Sequence, residues 1–352
     1  MSNAALGGVA ATKDCVIVVD RDPADRVDIF RCLNSDGSER WTLRYPASGN
    51  LDYGNSSRAT PLIHGDLVFL SGAHGDFHAI ELATGKTRWK KHFQRDFGGP
   101  KDLPWGFCSS PLIADQRLIL QPGGPKASLV ALNPDSGEIL WQSEGRPPGH
   151  SSPVLAEIRG KKQIIAYDDE SLGGWDLNTG ERLWTMMPSI KGDFNVPTPI
   201  VFNEKLVVAT ENNGARVYEF DDRGAIKPEP VATNDSLVPD CESPILVGNR
   251  LLGVTGALYC LDAANELKEI WHSDDECFHG YTTLIASDRR LLAISLRGKL
   301  LLADVAGKEL RKLGELQLLE DEEGLYSHSA LVGGRLYVRA SKMLVCLDLA
   351  GK

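Results

Sequence analysis

The sequence predicts an all-β chain folded as an eight-bladed β-propeller of four-stranded blades. Three observations carry that prediction. Four tryptophans stand in one frame, four residues after a turn glycine: Gly37-Ser-Glu-Arg-Trp41, Gly85-Lys-Thr-Arg-Trp89, Gly137-Glu-Ile-Leu-Trp141 and Gly180-Glu-Arg-Leu-Trp184. Their spacings of 48, 52 and 43 residues set a period near 45. Periods of about 20–50 residues belong to solenoids, propellers or arrays. Inside each period the pattern is strand-like, and no stretch of ten or more residues carries a helical stripe through the repeats.

The units follow in order. Polar turns close the first four at Asn34-Ser-Asp-Gly37, Ala83-Thr-Gly85, Asn133-Pro-Asp-Ser-Gly137 and Asn178-Thr-Gly180. Tyr218-Glu-Phe-Asp-Asp-Arg-Gly224 marks a fifth, and Leu261-Asp-Ala-Ala264 before Trp271 a sixth. Leu302-Ala-Asp-Val-Ala-Gly307 and Leu347-Asp-Leu-Ala-Gly351 mark the seventh and eighth. Dividing 352 residues by eight turns gives 44 per unit. The third unit shows the content of each. Ser110–Ile113, Arg117–Gln121, Ser128–Leu132 and Glu138–Trp141 are short runs of Val, Ile, Leu and Trp between Gly, Pro, Asn and Asp turns. Four strands per period is a propeller blade. The eighth unit has only three, and the apolar segment Ala4–Ala11 precedes the first. That segment is expected to serve as an outer strand of the last blade or an inner strand of the first. The uninterrupted repeat makes residues 1–352 a single domain by this reading.

Composition narrows the function. A chain with 42% hydrophobic and 24% charged residues is globular. Its formal net charge of −10 argues against a nucleic-acid partner, which wants a basic patch. No apolar run reaches the roughly 18 residues of a membrane-spanning helix. The opening Met1-Ser-Asn-Ala4 resembles an expression scar, so a native leader is expected to have been removed. Seven cysteines without a CxxC or an adjacent pair exclude a disulfide framework. Cys32, Cys260 and Cys346 fall on third strands and read as core packing. Thr84-Gly-Lys-Thr87 lacks the earlier glycine of a phosphate loop, because position 80 is Ile80. Gly174-Trp-Asp176 occurs once and is no WD repeat.

Phe77-His-Ala-Ile-Glu-Leu-Ala-Thr-Gly-Lys-Thr-Arg-Trp89 and Ser128-Leu-Val-Ala-Leu-Asn-Pro-Asp-Ser-Gly-Glu-Ile-Leu-Trp141 resemble the quinoprotein-type (PQQ-like) propeller repeat. The resemblance covers nearly the whole chain and weakens in units five to eight. That family includes PQQ-dependent alcohol dehydrogenases and the outer-membrane assembly lipoprotein BamB. It implies a propeller, and export to the periplasm or beyond. Its enzyme branch implies an adjacent Cys-Cys over the quinone and a Ca²⁺ site; this chain has no Cys-Cys and no CxxCH. The expectation is therefore a non-catalytic binding or scaffold module, without PQQ, Ca²⁺ or another metal and without catalytic residues. The alternative is a quinone-dependent dehydrogenase.

A site is expected where segments lead into each innermost strand and border the channel at one mouth. Those segments supply Arg58, Trp105, His150, Asp240, Glu242, His279 and His328. Loops such as His74-Gly-Asp76 and Asp168-Asp-Glu170 are expected to join them. Imidazole, carboxylate and indole in one concavity suit a small-molecule ligand or a protein partner. The same polarity is what any water-filled mouth carries, so both readings stand.

Overall fold

The structure is a computed structural model describing residues 1–3, 5–193, 195–320 and 324–349. Its 31 strands form eight antiparallel sheets, each an up-and-down meander contiguous in sequence. The first comprises β1 (Ala10–Ala11), β2 (Cys15–Arg21), β3 (Val27–Asn34) and β4 (Glu39–Pro46). The second comprises β5 (Leu62–His64), β6 (Leu67–Ser71), β7 (Asp76–Glu81) and β8 (Thr87–His92), followed by a short helix α1 (Phe93–Phe97). The third comprises β9 (Leu112–Ala114), β10 (Arg117–Leu120), β11 (Leu129–Leu132) and β12 (Ile139–Ser143). The fourth runs from β13 (Val154–Ile158) through β14 (Lys161–Tyr167) and β15 (Leu172–Asp176) to β16 (Arg182–Met186). The fifth runs from β17 (Ile200–Phe202) through β18 (Lys205–Thr210) and β19 (Gly214–Tyr218) to β20 (Ala232–Asn234). The sixth comprises β21 (Ile245–Val247), β22 (Arg250–Val254), β23 (Leu258–Asp262) and β24 (Lys268–Ser273). The seventh comprises β25 (Thr282–Ser287), β26 (Arg290–Ser295), β27 (Lys299–Asp304) and β28 (Arg311–Gln317). The eighth has three strands, β29 (Ala330–Val332), β30 (Arg335–Arg339) and β31 (Leu344–Asp348). These sheets are the blades of an eight-bladed propeller fold.

The chain divides into two compact units: Met1–Pro148 with Tyr326–Lys352, and Gly149–Leu325. In the first unit the N-terminal segment takes one of its two expected places. β1 pairs with β2, Ala10 opposite Ile17, and so is the first strand of the first blade. It also meets the last blade, where Val9 N–H donates to His328 O at 2.8 Å and Ser327 Oγ to Ala5 O at 2.9 Å. Tyr337 packs there against Val9, Val16 and Val18.

The tryptophans explain the period. Trp41, Trp89, Trp141, Trp184 and Trp271 stand opposite Cys32, Ala79, Ala131, Gly174 and Cys260 on the third strand of their own blade. A small residue makes room for each indole, and the register shifts immediately beyond it. Trp41, Trp141, Trp184 and Trp271 are buried; Trp89 is half-buried against Phe69 and Phe77. Two of the indoles then bond to the next blade. Trp41 Nε1–H donates to Leu82 O and Trp89 Nε1–H to Pro134 O, both at 2.8 Å. The turn glycine lies beneath: a Cβ on Gly85 would stand 2.6 Å from Trp41, and one on Gly137 2.7 Å from Trp89. Both glycines hold left-handed φ values of 74° and 71° that few other residues adopt. Cys32 and Cys260 are buried as expected of third strands, but Cys346 is exposed. The cause is local: no fourth strand covers β31 among the described residues.

Candidate functional site

In the first unit, the lead-in segments of the second and third blades are tied together. Asp52 N–H donates to Pro104 O at 2.8 Å, and Phe107 N–H to Ala73 O at 2.9 Å. The second bond joins a lead-in segment to the loop between second and third strands of the preceding blade. The second unit repeats the device, with Asn195 Nδ2 donating to Asp168 O at 3.3 Å and Ser151 N–H to Asn195 O at 2.9 Å.

Arg58 and Trp105 sit on the tied pair. Arg58 does not point a free guanidinium outward. It donates to the carbonyls of Asp52 and Gly54 at 2.7 Å each, and to Ser56 O. Burial pulls its pKa down, while neighbouring Cys108 opposes the shift. The Cys108 thiol is raised to about 11 by burial, with Arg58 as the opposing influence. It donates weakly to the Trp105 carbonyl at 3.6 Å. A cleft with a cavity volume of only about 10 Å³ is lined by Phe93, Phe107, Cys108 and Gln121, with Ser109 Oγ donating to Gln121 Oε1 at 3.0 Å. His328 is exposed, and surrounding protein lowers its pKa by desolvation.

The Arg58 clamp has one conspicuous product. The two carbonyls it holds at 2.7 Å flank Tyr53, which is 84% exposed. Tyr53 and Gly54 carry φ of 62° and 90°, a turn that a tyrosine adopts only when held. Asn55 braces the other side: its Oδ1 accepts from Leu51 N–H at 3.2 Å, and its Nδ2 donates to Asp25 at 2.5 Å. Asp25 is in turn bonded to the buried Arg21 at 2.7 Å. The loop is a rigid mount for an exposed aromatic ring.

In the second unit, Asp240 and Glu242 come together. Burial raises the Glu242 pKa, and the Asp240 charge adds to it. Glu211 joins them, raised by burial, then by Asp240 and Asp193. His150 is half-buried and its pKa falls to about 4 by desolvation. His279 is exposed, its Nε2–H donating to Asp274 O at 3.1 Å. Asp168 is buried, accepting from Ser171 Oγ at 2.9 Å and Arg182 Nη1 at 2.9 Å. Asp193 accepts from the Asn212 amide at 2.7 Å and from Thr210 and Asn213. Among the described residues, no three His, Cys, Asp or Glu side chains are grouped to hold a metal ion. The sequence reading missed Tyr53 and Glu211. Tyr53 stands five residues before Arg58, but backbone acceptors for Arg58 leave no trace in residue types.

The profile of the family described as outer membrane protein assembly factor BamB matches residues 25–266. The BamB of Shewanella oneidensis is 23% identical over 249 residues, 64% of this chain and 59% of that protein. Quinoprotein alcohol dehydrogenase PedH of Pseudomonas putida is 28% identical over 144 residues, 38% of this chain and 23% of that one. The matched stretch thus spans about three-fifths of the first relative's length. Among solved structures, BamB from Moraxella catarrhalis superposes with a TM-score of 0.65 at 15% identity, covering 96% of this chain and 94% of that one. A europium-containing methanol dehydrogenase gives 0.61 at 12% identity, covering 96% and 83%. At these identities the likeness concerns the fold.

Proposed function

Because the chain belongs to the family described as outer membrane protein assembly factor BamB, we propose that it is a non-catalytic scaffold that docks a protein partner on its loop face. Export, and a partner in outer membrane protein assembly, follow from the relatives' name and belong to the same proposal. The observation that carries it is Tyr53, 84% exposed on a loop clamped by Arg58 and Asn55. Rigid exposed aromatics make interface hot spots, since little freedom is lost when they dock. Charged side chains on the loops of each unit, Arg58 in the first and Asp168 and Asp193 in the second, are engaged in bracing backbone and side chains.

The dehydrogenase alternative rests on the quinoprotein relatives. No two cysteines are adjacent in sequence. In cells lacking the protein, wild type should restore outer-membrane protein levels and Tyr53→Ala should not, at equal abundance. Micromolar binding of PQQ with Ca²⁺, coupled to dye-linked alcohol oxidation, would instead establish the enzyme.

A further inference from the structure

In the first unit the segment that carries Tyr53 and the loop that joins β6 to β7 meet at His74. A Cβ on Gly49 would run into His74 Cε1 and stand 2.8 Å from Nδ1, so the imidazole lies against bare backbone. The same loop is held from its other side. Phe107 N–H donates to Ala73 O at 2.9 Å, and a Cβ on Gly106 would meet Leu51 Cδ1 at 2.9 Å. His74 is half-buried, and its Nε2 is fully buried with no hydrogen-bond partner among the described residues.

Four charged groups act on this ring, each from a different element. Arg21 ends β2, Asp25 lies on the β2–β3 turn, Arg58 on the clamped segment, and Asp76 starts β7. Burial, and then the two guanidiniums, lower the His74 pKa from the ordinary 6.5, while Asp76 and Asp25 oppose them. An imidazolium carries two N–H donors. One of them would stand at Nε2, where no acceptor waits. The neutral ring fills the space beside Gly49 without that penalty.

The other anchors of the segment respond differently to acid. Arg21 donates to Ala47 O, Asp52 N–H to Pro104 O, and Arg58 to the carbonyls of Asp52 and Gly54. These guanidinium and backbone bonds do not titrate near neutrality. Asp28, which accepts from Arg21 at 2.6 Å, acts with the opposite sign. Burial pushes its pKa up to about 6 against Arg21, so the closed fold takes that proton more readily and acid favours closure. His78 and His92 are also lowered by burial. They belong to β7 and β8, so charging them strains the strands of the blade and not this segment alone.

We propose that His74 is an acid-released latch for the Tyr53 loop. Neutral, it props residues 48–57 closed and holds Tyr53 out for its partner; protonated, it leaves its place beside Gly49, and the rigid mount is lost. Docking at Tyr53 is thereby confined to neutral and higher pH. This rests on the scaffold reading and adds the regulation of the same site. The sign follows from linkage: the open segment takes the proton first, so opening grows easier as pH falls through about 6.5, by up to about tenfold at pH 5.5.

Hydrogen exchange of the full chain, read by mass spectrometry and corrected for intrinsic rates, tests the latch without a partner. Protection of residues 48–57 should fall about tenfold between about pH 7.5 and about pH 5.5, while that of β6 holds. His74→Gln should reduce the change to less than about twofold, and Asp28→Asn should leave it intact. Exchange at the imidazole C2–H of wild type reads His74 directly and needs no variant; its titration should lie below 6.5. Four results overturn the proposal: a wild-type change under about twofold, an equal change in His74→Gln, an equal loss in β6, or a His74 that titrates at or above 6.5. Each of them leaves the docking reading standing. A crosslinker at position 53 that captures no protein at neutral pH overturns that reading instead, and one that captures its partner equally well at about pH 5.5 overturns the latch alone.

Discussion

Replacing Trp184 by alanine tests how a blade is locked. The indole is 7% exposed, stands opposite Gly174, and meets Phe220 edge-on at 5.9 Å. Its N–H donates to Gln163 Oε1 at 2.8 Å, and Gln163 Nε2 passes the link to Gly224 O of the fifth blade at 3.0 Å. Removing a buried indole costs about 3–5 kcal/mol. Leaving the fully buried Gln163 carbonyl unpaired adds about 1 kcal/mol or more. Each kcal/mol moves the melting temperature of a cooperative unit of 150–250 residues by about 2–4 °C. A fall of about 8–24 °C in Trp184→Ala is expected by calorimetry. Trp184→Phe keeps most of the burial and loses only the N–H, so it should fall by about a third as much. An alanine variant melting within about 2 °C of wild type would refute the docking role. Equal losses in Phe and Ala would show that the hydrogen bond, and not the packing, locks the blade.

Gly85→Ala forces a Cβ to within 2.6 Å of Trp41 at a φ of 74°, and should cost about 2–4 kcal/mol in urea unfolding. Gly37→Ala, with open space above it, should cost only the backbone strain of about 1 kcal/mol. His78 is buried against Tyr45 with ring centroids 4.7 Å apart, and burial lowers its pKa to about 4. Its folded pKa lies below the unfolded value of about 6.5, so the unfolded chain takes the proton first. Its contribution is complete above pH 6.5 or so and declines as pH falls toward 4, by roughly 2–3 kcal/mol. His78→Gln should flatten that part of the pH–stability curve. Arg58→Ala releases three backbone carbonyls and should cost about 2 kcal/mol, with faster proteolysis within residues 51–58.

The repeat made the fold legible because blades must match their neighbours. A tryptophan at fixed distance from a left-handed glycine is a packing requirement written in residue types. Opposite it the small residue is equally visible, and it explains why Cys32 and Cys260 sit on third strands. Cys346 broke that reading, because burial on a third strand requires a fourth to cover it. Helix α1 escaped notice: five residues, ended by Gly98 at a φ of 73°, are too few to show a period. The candidate site was legible as a set of loops but not as a set of roles. Arg58 and His279 bond to main-chain oxygens, which any sequence supplies. Asp240 and Glu242 are near in sequence and act on each other, yet Glu211 reaches Asp240 only through the fold.

Tyr53, held out by Arg58, is the proposed docking point. The direct measurement places a photo-crosslinking amino acid at position 53 in cells that make the protein, and reads adducts by mass spectrometry. One discrete adduct with a protein of outer membrane protein assembly is expected, lost when Arg58→Ala frees the loop. The same adduct from a crosslinker at Leu313 on the exposed strand β28, or an adduct at position 53 that persists in Arg58→Ala, would contradict it.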